Sequence, residues 1–271
     1  MGDTTGFSES VVELPTGKVH LLQGGIGEPL LLLHHDVGSA GWLPSHEGLA
    51  KHFTVLAPDL PGYGQSERPS WARHPRDLAI ILNQFLDERG LNHGVTLLGL
   101  GFGGWLAAEM ATMNQGRLRS LVLVAPMGLQ PREGEIMDQM MMAHVDYMKE
   151  GFRSEEEFEL RYGAEPDPEV ALAWDLNKEM TARVAWKPYM FSHQLAPLLA
   201  GVNTPALIVW GRDDKVVPLE CGDLYASSLP NARLVVVEDG GHFVDMERPE
   251  ELVQLVVDHT SERKAKNSNT R

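Results

Sequence analysis

The chain is poor in three things, and each shortage excludes something. It has one cysteine, Cys221, in 271 residues, which excludes an intrachain disulfide framework and fits a reducing compartment. No apolar run approaches the roughly 18 residues of a membrane span. The N-terminus lacks a basic stretch followed by an apolar one, so a cytoplasmic location is expected and no membrane partner. Positive charge is scarce: 23 Lys and Arg stand against 38 Asp and Glu, a formal net charge of −15. Phosphate backbones and anionic lipid surfaces repel such a chain, so nucleic acid is not an expected partner. The length suffices for one large α/β domain with a sizeable core, as a monomer or a homodimer.

What is present is a rhythm of short apolar runs and helical stretches. Residues 8–23 read as an opening antiparallel pair about a Pro-Thr-Gly turn. Pro29 to His34, Thr54 to Ala57, Val95 to Leu98, Ser120 to Ala125, Ala206 to Trp210 and Ala232 to Val237 read as buried strands. Arg76 to Arg89 places Leu78, Ile81, Leu82, Phe85 and Leu86 on one helical face, and a closing helix is expected from about Pro249 to His259. Ser261 to Arg271 is polar and basic, and is expected to fray. Strands alternating with helices predict an α/β fold with a mostly parallel sheet covered on both faces.

Residues 131–200 interrupt the rhythm. They hold no convincing strand and read as helices over Glu135 to Lys149, Ser154 to Leu160 and Pro168 to Trp186. Ser154 and Glu157 form a capping-box pattern. The segment is rich in Met, with Trp174 and Trp186. We therefore expect a helical cap at 131–200 over a core made of 1–130 and 201–271, with Met141 and Trp186 in an adaptable apolar pocket wall.

The chain turns on residues 94–113. Val95 to Leu98 is strand-like, Trp105 onward is helix-forming, and Gly99, Gly101, Gly103 and Gly104 lie between. The spacing small-x-N-x-small is that of a nucleophile elbow, G-x-S-x-G, with Gly99 and Gly103 as the flanking small residues. The apex, where a hydroxyl should stand, is Gly101. A dinucleotide-binding reading is weaker. Read from Gly101, its frame breaks at Leu106, and no ribose-binding acid stands at the usual distance. An elbow needs an acid and then a base later in the chain. Asp214 follows the strand ending at Trp210, with Asp213 as the alternative acid, and His242 follows the last strand.

With these residues the chain resembles the α/β-hydrolase superfamily, of the capped, epoxide-hydrolase and C–C-hydrolase-like type, over about residues 10–260. Leu33-His34-His35-Asp36 is similar to the family's His-Gly oxyanion loop. Asp59-Leu60-Pro61-Gly62-Tyr63-Gly64-Gln65-Ser66 is similar to its Asp-x-x-Gly-x-Gly-x-Ser loop. The resemblance implies an α/β-hydrolase fold, Asp214 as triad acid, His242 as base, and oxyanion donors at the backbone N–H groups of Phe102 and Asp36. It places His34, His35, Trp105, Met127 and Phe243 with the cap residues around a small-molecule substrate. No organic cofactor is implied, and His34, His35, Asp36 and His242 show no recognisable metal-ligand spacing.

Two departures stand out: Gly101 in place of Ser, Asp or Cys, and His35-Asp36 in place of Gly and a small residue. Without a side chain at 101 no covalent intermediate forms there. Three readings remain open. His242, oriented by Asp214, acts directly as a general base on a small apolar ester, lactone or ketone. The pocket binds a ligand without turnover. Or glycine has replaced the nucleophile of an ordinary serine hydrolase. Ser39, Ser66 and Cys221 are weaker substitutes for the missing nucleophile.

Overall fold

A parallel strand covered on both faces is apolar along its whole length. Leu30 to Leu33 and Val95 to Leu100 satisfy that, and both runs are buried throughout. In the computed structural model, which describes residues 6–268 and side chains to Ser261, they are β3 (Glu28–Leu33) and β5 (Val95–Leu100). The other strands are β1 (Phe7–Leu14), β2 (Gly17–Gly24), β4 (Phe53–Pro58), β6 (Leu118–Val124), β7 (Ala206–Gly211) and β8 (Ala232–Val237). They form one eight-stranded sheet in the order β1-β2-β4-β3-β5-β6-β7-β8. The β1–β2 and β2–β4 pairs are antiparallel; every later pair is parallel.

Alternate side chains of each strand face opposite ways, so the sheet carries two apolar layers. Leu97, Leu121 and Ile208 belong to one, under α2 (Pro75–Glu88) and α3 (Phe102–Asn114). Leu98, Val122 and Leu207 belong to the other, under α1 (Pro44–Ala50) and α10 (Pro249–Ser268). The closing helix thus continues into the stretch expected to fray; residues 269–271 lie outside the described residues.

Between β6 and β7 the chain forms α4 (His144–Gly151), α5 (Glu155–Tyr162), α6 (Pro168–Ala185) and α7 (Leu195–Leu199). Its only β-bridge among the described residues is the isolated pair Gly128–Phe191 within the segment. The helix expected over Glu135–Lys149 is broken. Asp138 caps a 3-10 turn, Gln139–Met141, by accepting from the Met140 N–H at 2.9 Å, and regular helix begins only at His144. The Ser154 cap forms, with Oγ accepting from the Glu157 N–H at 3.3 Å. The Glu157 side chain meets Arg248 at 2.8 Å instead of closing the box.

The turn from β5 into α3 shows why its flanks are small. A Cβ on Gly99 would lie 2.4 Å from the Gly103 carbonyl oxygen, and one on Gly103 would lie 2.3 Å from that of Leu33. Both obstacles are backbone and cannot swing aside. Gly103→Ala is therefore expected to cost about 3 kcal/mol, the upper range for overpacking, read as a thermal-denaturation midpoint lowered by about 6–12 °C. An unshifted midpoint would show that β3 and α3 can separate freely.

Candidate active site

The loops after β3, β5, β7 and β8 converge above the sheet, at the carboxyl ends of its strands. Gly101 stands at their centre with φ 50° and ψ −112°, a conformation costly for a residue with a side chain. Its N–H donates to Val124 and its carbonyl accepts from Met127, so the turn is tied to β6.

His242, wholly buried, approaches from the loop after β8. Its Nδ1 lies 2.9 Å from Asp214 Oδ2. Asp214 is itself anchored, since Oδ1 accepts from the N–H groups of Val216 and Val217 at 2.8 and 2.9 Å. Asp213 points elsewhere, to Arg153 at 3.0 Å. Because Asp214 accepts only, it holds the Nδ1–H tautomer and leaves the Nε2 lone pair facing Gly101. Burial opposes charge on His242, but the Asp214 carboxylate outweighs it, with Asp36 and Asp245 adding, and the ring holds a proton above its usual range.

His35 makes a second pair of the same kind. Its Nε2 lies 2.9 Å from Asp245 Oδ1, and both side chains are buried. Burial resists ionisation of Asp245, but His35 outweighs it and holds this carboxyl below its usual range. The free nitrogen, Nδ1, lies 2.6 Å from where a Cβ on Gly101 would be, and His242 Nε2 lies 3.0 Å from that point. The His35 imidazole occupies the space of the absent side chain.

Asp36 is the third polar group, with 0% exposure. Its Oδ2 accepts from Gln139 Nε2 at 2.7 Å and from the Tyr147 hydroxyl at 2.9 Å. Burial and the nearby Asp36 charge push the Tyr147 hydroxyl well above its usual range, so it stays a donor. Gln139 and Tyr147 come from the β6–β7 segment. Neither they nor Asp245 was marked by any local pattern in the sequence.

The other residues expected around the site divide. The Phe243 ring packs against His35 and His242, centroids 4.8 and 5.3 Å away. Met127 is buried beside Gly101. Among the described residues no turn or loop carbonyl accepts from the Phe102 or Asp36 N–H. His34 lines a small cavity beside His35, Leu43 and Asp245, with its ring nitrogens already engaged. Its Nδ1 donates to the His35 carbonyl at 2.6 Å and its Nε2 accepts from the Leu60 N–H at 2.9 Å, so both nitrogens are spent clamping two loops. Trp105 faces a different space, a cleft of about 320 Å³ that also takes in His74, Glu109 and Phe191 and holds none of the site imidazoles. Met141 and Trp186 are 80% and 51% exposed, turned away from the site. Cys221 is buried, its thiol pushed up to about 12 by burial, and Ser66 is held by the Asp59 carbonyl at 2.7 Å.

The model of the alpha/beta hydrolase family matches residues 30–255. The chain belongs to that family. It is 29% identical over 264 residues, 89% of this chain and 92% of the other, to the 2-hydroxy-6-oxo-2,4-heptadienoate hydrolase of Pseudomonas putida. It is 25% identical over 269 residues, 89% and 90% of the two chains, to the 2-hydroxy-6-oxo-6-phenylhexa-2,4-dienoate hydrolase of Burkholderia cepacia. The solved structure of the Rhodococcus sp. enzyme of that second name superposes with a TM-score of 0.74 over 93% of this chain and 98% of that one, at 22% identity. Gly99, Gly101 and Gly104 do complete a G-x-G-x-x-G frame that the count from Gly101 misses, but the family that the chain matches is that of the hydrolases. No helix among the described residues is long and apolar enough to cross a membrane.

One contact ties the β6–β7 segment to the His242 loop and carries a pH signature. Glu247 accepts from the N–H groups of Arg153 and Gly241 at 2.7 and 2.8 Å. Burial, then the Glu157 carboxyl against it, pushes Glu247 up to about 8 from 4.5. The folded chain then keeps a proton that the unfolded chain has lost, so stability falls as pH rises from about 4.5 to about 8. Glu247→Gln is expected to flatten that fall in thermal midpoints taken across the window. An equal fall in the variant would place its cause elsewhere.

Proposed function

We propose that the protein is a hydrolase that works without a covalent intermediate. Its substrate would be a small, largely apolar molecule with an ester, lactone or ketone oxygen. One observation carries this: two buried imidazole nitrogens, His242 Nε2 and His35 Nδ1, meet over Gly101, 3.0 and 2.6 Å from where a Cβ would stand, without a protein partner, and a ring nitrogen of each lies within 4.8 Å of the other. That span suits one water donating to both at about 2.8–3.0 Å. In this reading His242 takes a proton from that water, His35 holds it in place, and the hydroxide adds to the substrate carbonyl. The N–H groups of Phe102 and Asp36 receive the developing oxyanion. As the tetrahedral adduct collapses, His242 returns the proton to the leaving group.

The relatives' names point to ketone substrates of the hydroxy-oxo-dienoate type. Three carboxylates near the centre, Asp36, Asp214 and Asp245, favour a reacting end without negative charge. Residues 131–200 would act as the cap, reaching the centre through Gln139 and Tyr147. A serine hydrolase that has merely lost its hydroxyl is disfavoured, because His35, held by Asp245, overlaps the place a Cβ would take.

The test is a turnover screen of aryl esters, lactones and conjugated ketones, with intact-protein mass recorded at steady state. Turnover with an unmodified chain mass is the expected result. An adduct of acyl mass would overturn the non-covalent route, and ligand-induced stabilisation without any turnover would leave a binding protein.

A further inference from the structure

Three atoms of this site lie close together, and with both rings in the neutral tautomers held from behind none can donate. His35 Nδ1, His242 Nε2 and Asp36 Oδ1 are all buried and have no protein hydrogen-bond partner. Both ring tautomers are set from behind, by Asp245 on His35 and by Asp214 on His242, each at 2.9 Å. Asp36 is set by Gln139 and Tyr147 through its other oxygen. Converging lone pairs repel, and a buried carboxylate served only by neutral donors is costly unless a positive charge joins it.

We propose that His35 Nδ1, His242 Nε2 and Asp36 Oδ1 form a binding site for one divalent first-row transition-metal ion. One ligand atom from each of the three residues lies within 4.8 Å of the other two. Some point then lies within about 2.8 Å of all three (4.8 Å divided by √3), and a shift of about 0.7 Å per side chain gives ordinary bonds of about 2.0–2.2 Å. Two imidazoles and one carboxylate suit Zn, Fe(II), Co or Mn and leave further positions for water or a substrate oxygen. Each histidine already has the outer carboxylate that accompanies metal-bound imidazoles, which fixes the ring and strengthens the donor. This also accounts for Asp36: a carboxylate beside an oxyanion site opposes the chemistry, but as a ligand it neutralises the ion.

The inference goes beyond the preceding reading. An ion bonded to His242 Nε2 takes the lone pair that would accept a proton, so the ion-loaded and the base-active chain are separate states of one site. Binding measured without substrate tests the ion alone, and turnover by chelator-stripped protein tests the base alone.

The experiment titrates chelator-stripped full-length protein with CoCl2 and ZnCl2, read by calorimetry and by the visible Co(II) band. One ion per chain is expected. Asp36→Asn and His242→Gln should each weaken binding at least about 100-fold, and Asp245→Asn, which touches no ion, about 10–100-fold. Should a variant fail to fold, X-ray absorption of the wild-type Co(II) complex decides, with two imidazole ligands expected. A chain that takes up neither ion at hundredfold excess, uptake unchanged in folded variants, or a first shell without imidazole would each overturn the proposal.

Discussion

Gly101→Ser is expected to lower stability by about 2–5 kcal/mol, from positive-φ strain and overpacking together, and to yield no ester hydrolysis. Two terms act. The apex sits at φ 50°, and the new Cβ would stand 2.6 Å from His35 Nδ1. The imidazole is held by Asp245 at 2.9 Å, so it yields only by breaking a buried charge-assisted hydrogen bond. Removing the obstacle should change the outcome. Gly101→Ser with His35→Gly places a hydroxyl beside His242 Nε2 with room to rotate. That double variant is expected to cleave a short aryl ester at least about 100-fold faster than either single variant, the low end of what a positioned base contributes. Asp245 would then lose the partner that holds its carboxyl below the usual range, leaving burial to push it up. Equal ester hydrolysis in Gly101→Ser alone would show that His35 does not obstruct the apex.

His242→Ala is expected to lower kcat/KM by about 10²–10⁴ on whichever substrate the screen yields. Asp214→Asn should cost nearly as much, because an amide in place of the carboxylate no longer fixes the Nδ1–H tautomer. Neither should unfold the chain, since residue 214 keeps its loop contacts to Val216 and Val217. Thermal midpoints beside the kinetics separate lost chemistry from lost structure. Unchanged turnover in His242→Ala would remove this ring from the reaction.

The elements that position the site were legible because each is written locally. Four glycines between an apolar run and a helix-forming run mark the β5–α3 turn, and Asp214 and His242 follow later strands in the order that the family resemblance implies for acid and base. The two departures from the family pattern were legible one at a time, as a missing side chain at 101 and an extra one at 35. Their relation was not, because 66 residues separate positions that share one volume. The His35–Asp245 pair spans 210 residues and leaves no spacing to recognise, and the same holds for the grouping of His35 and Asp36 with His242. In the β6–β7 segment, residue type predicted apolar contact but not direction. Met141 and Trp186 suited a pocket by chemistry and face outward, while Gln139, unremarkable in sequence, is fully buried and reaches Asp36.

That reach has a consequence for traffic into the centre. The two donors on Asp36 belong to the helical segment, and the carboxylate belongs to the loop after β3. Lifting the helices to admit a guest strips both donors at once and wets a charge that is dry when they are down. If residues 131–200 act as the cap proposed above, admission and hydration of that anion are a single event, and closing again dries the same charge.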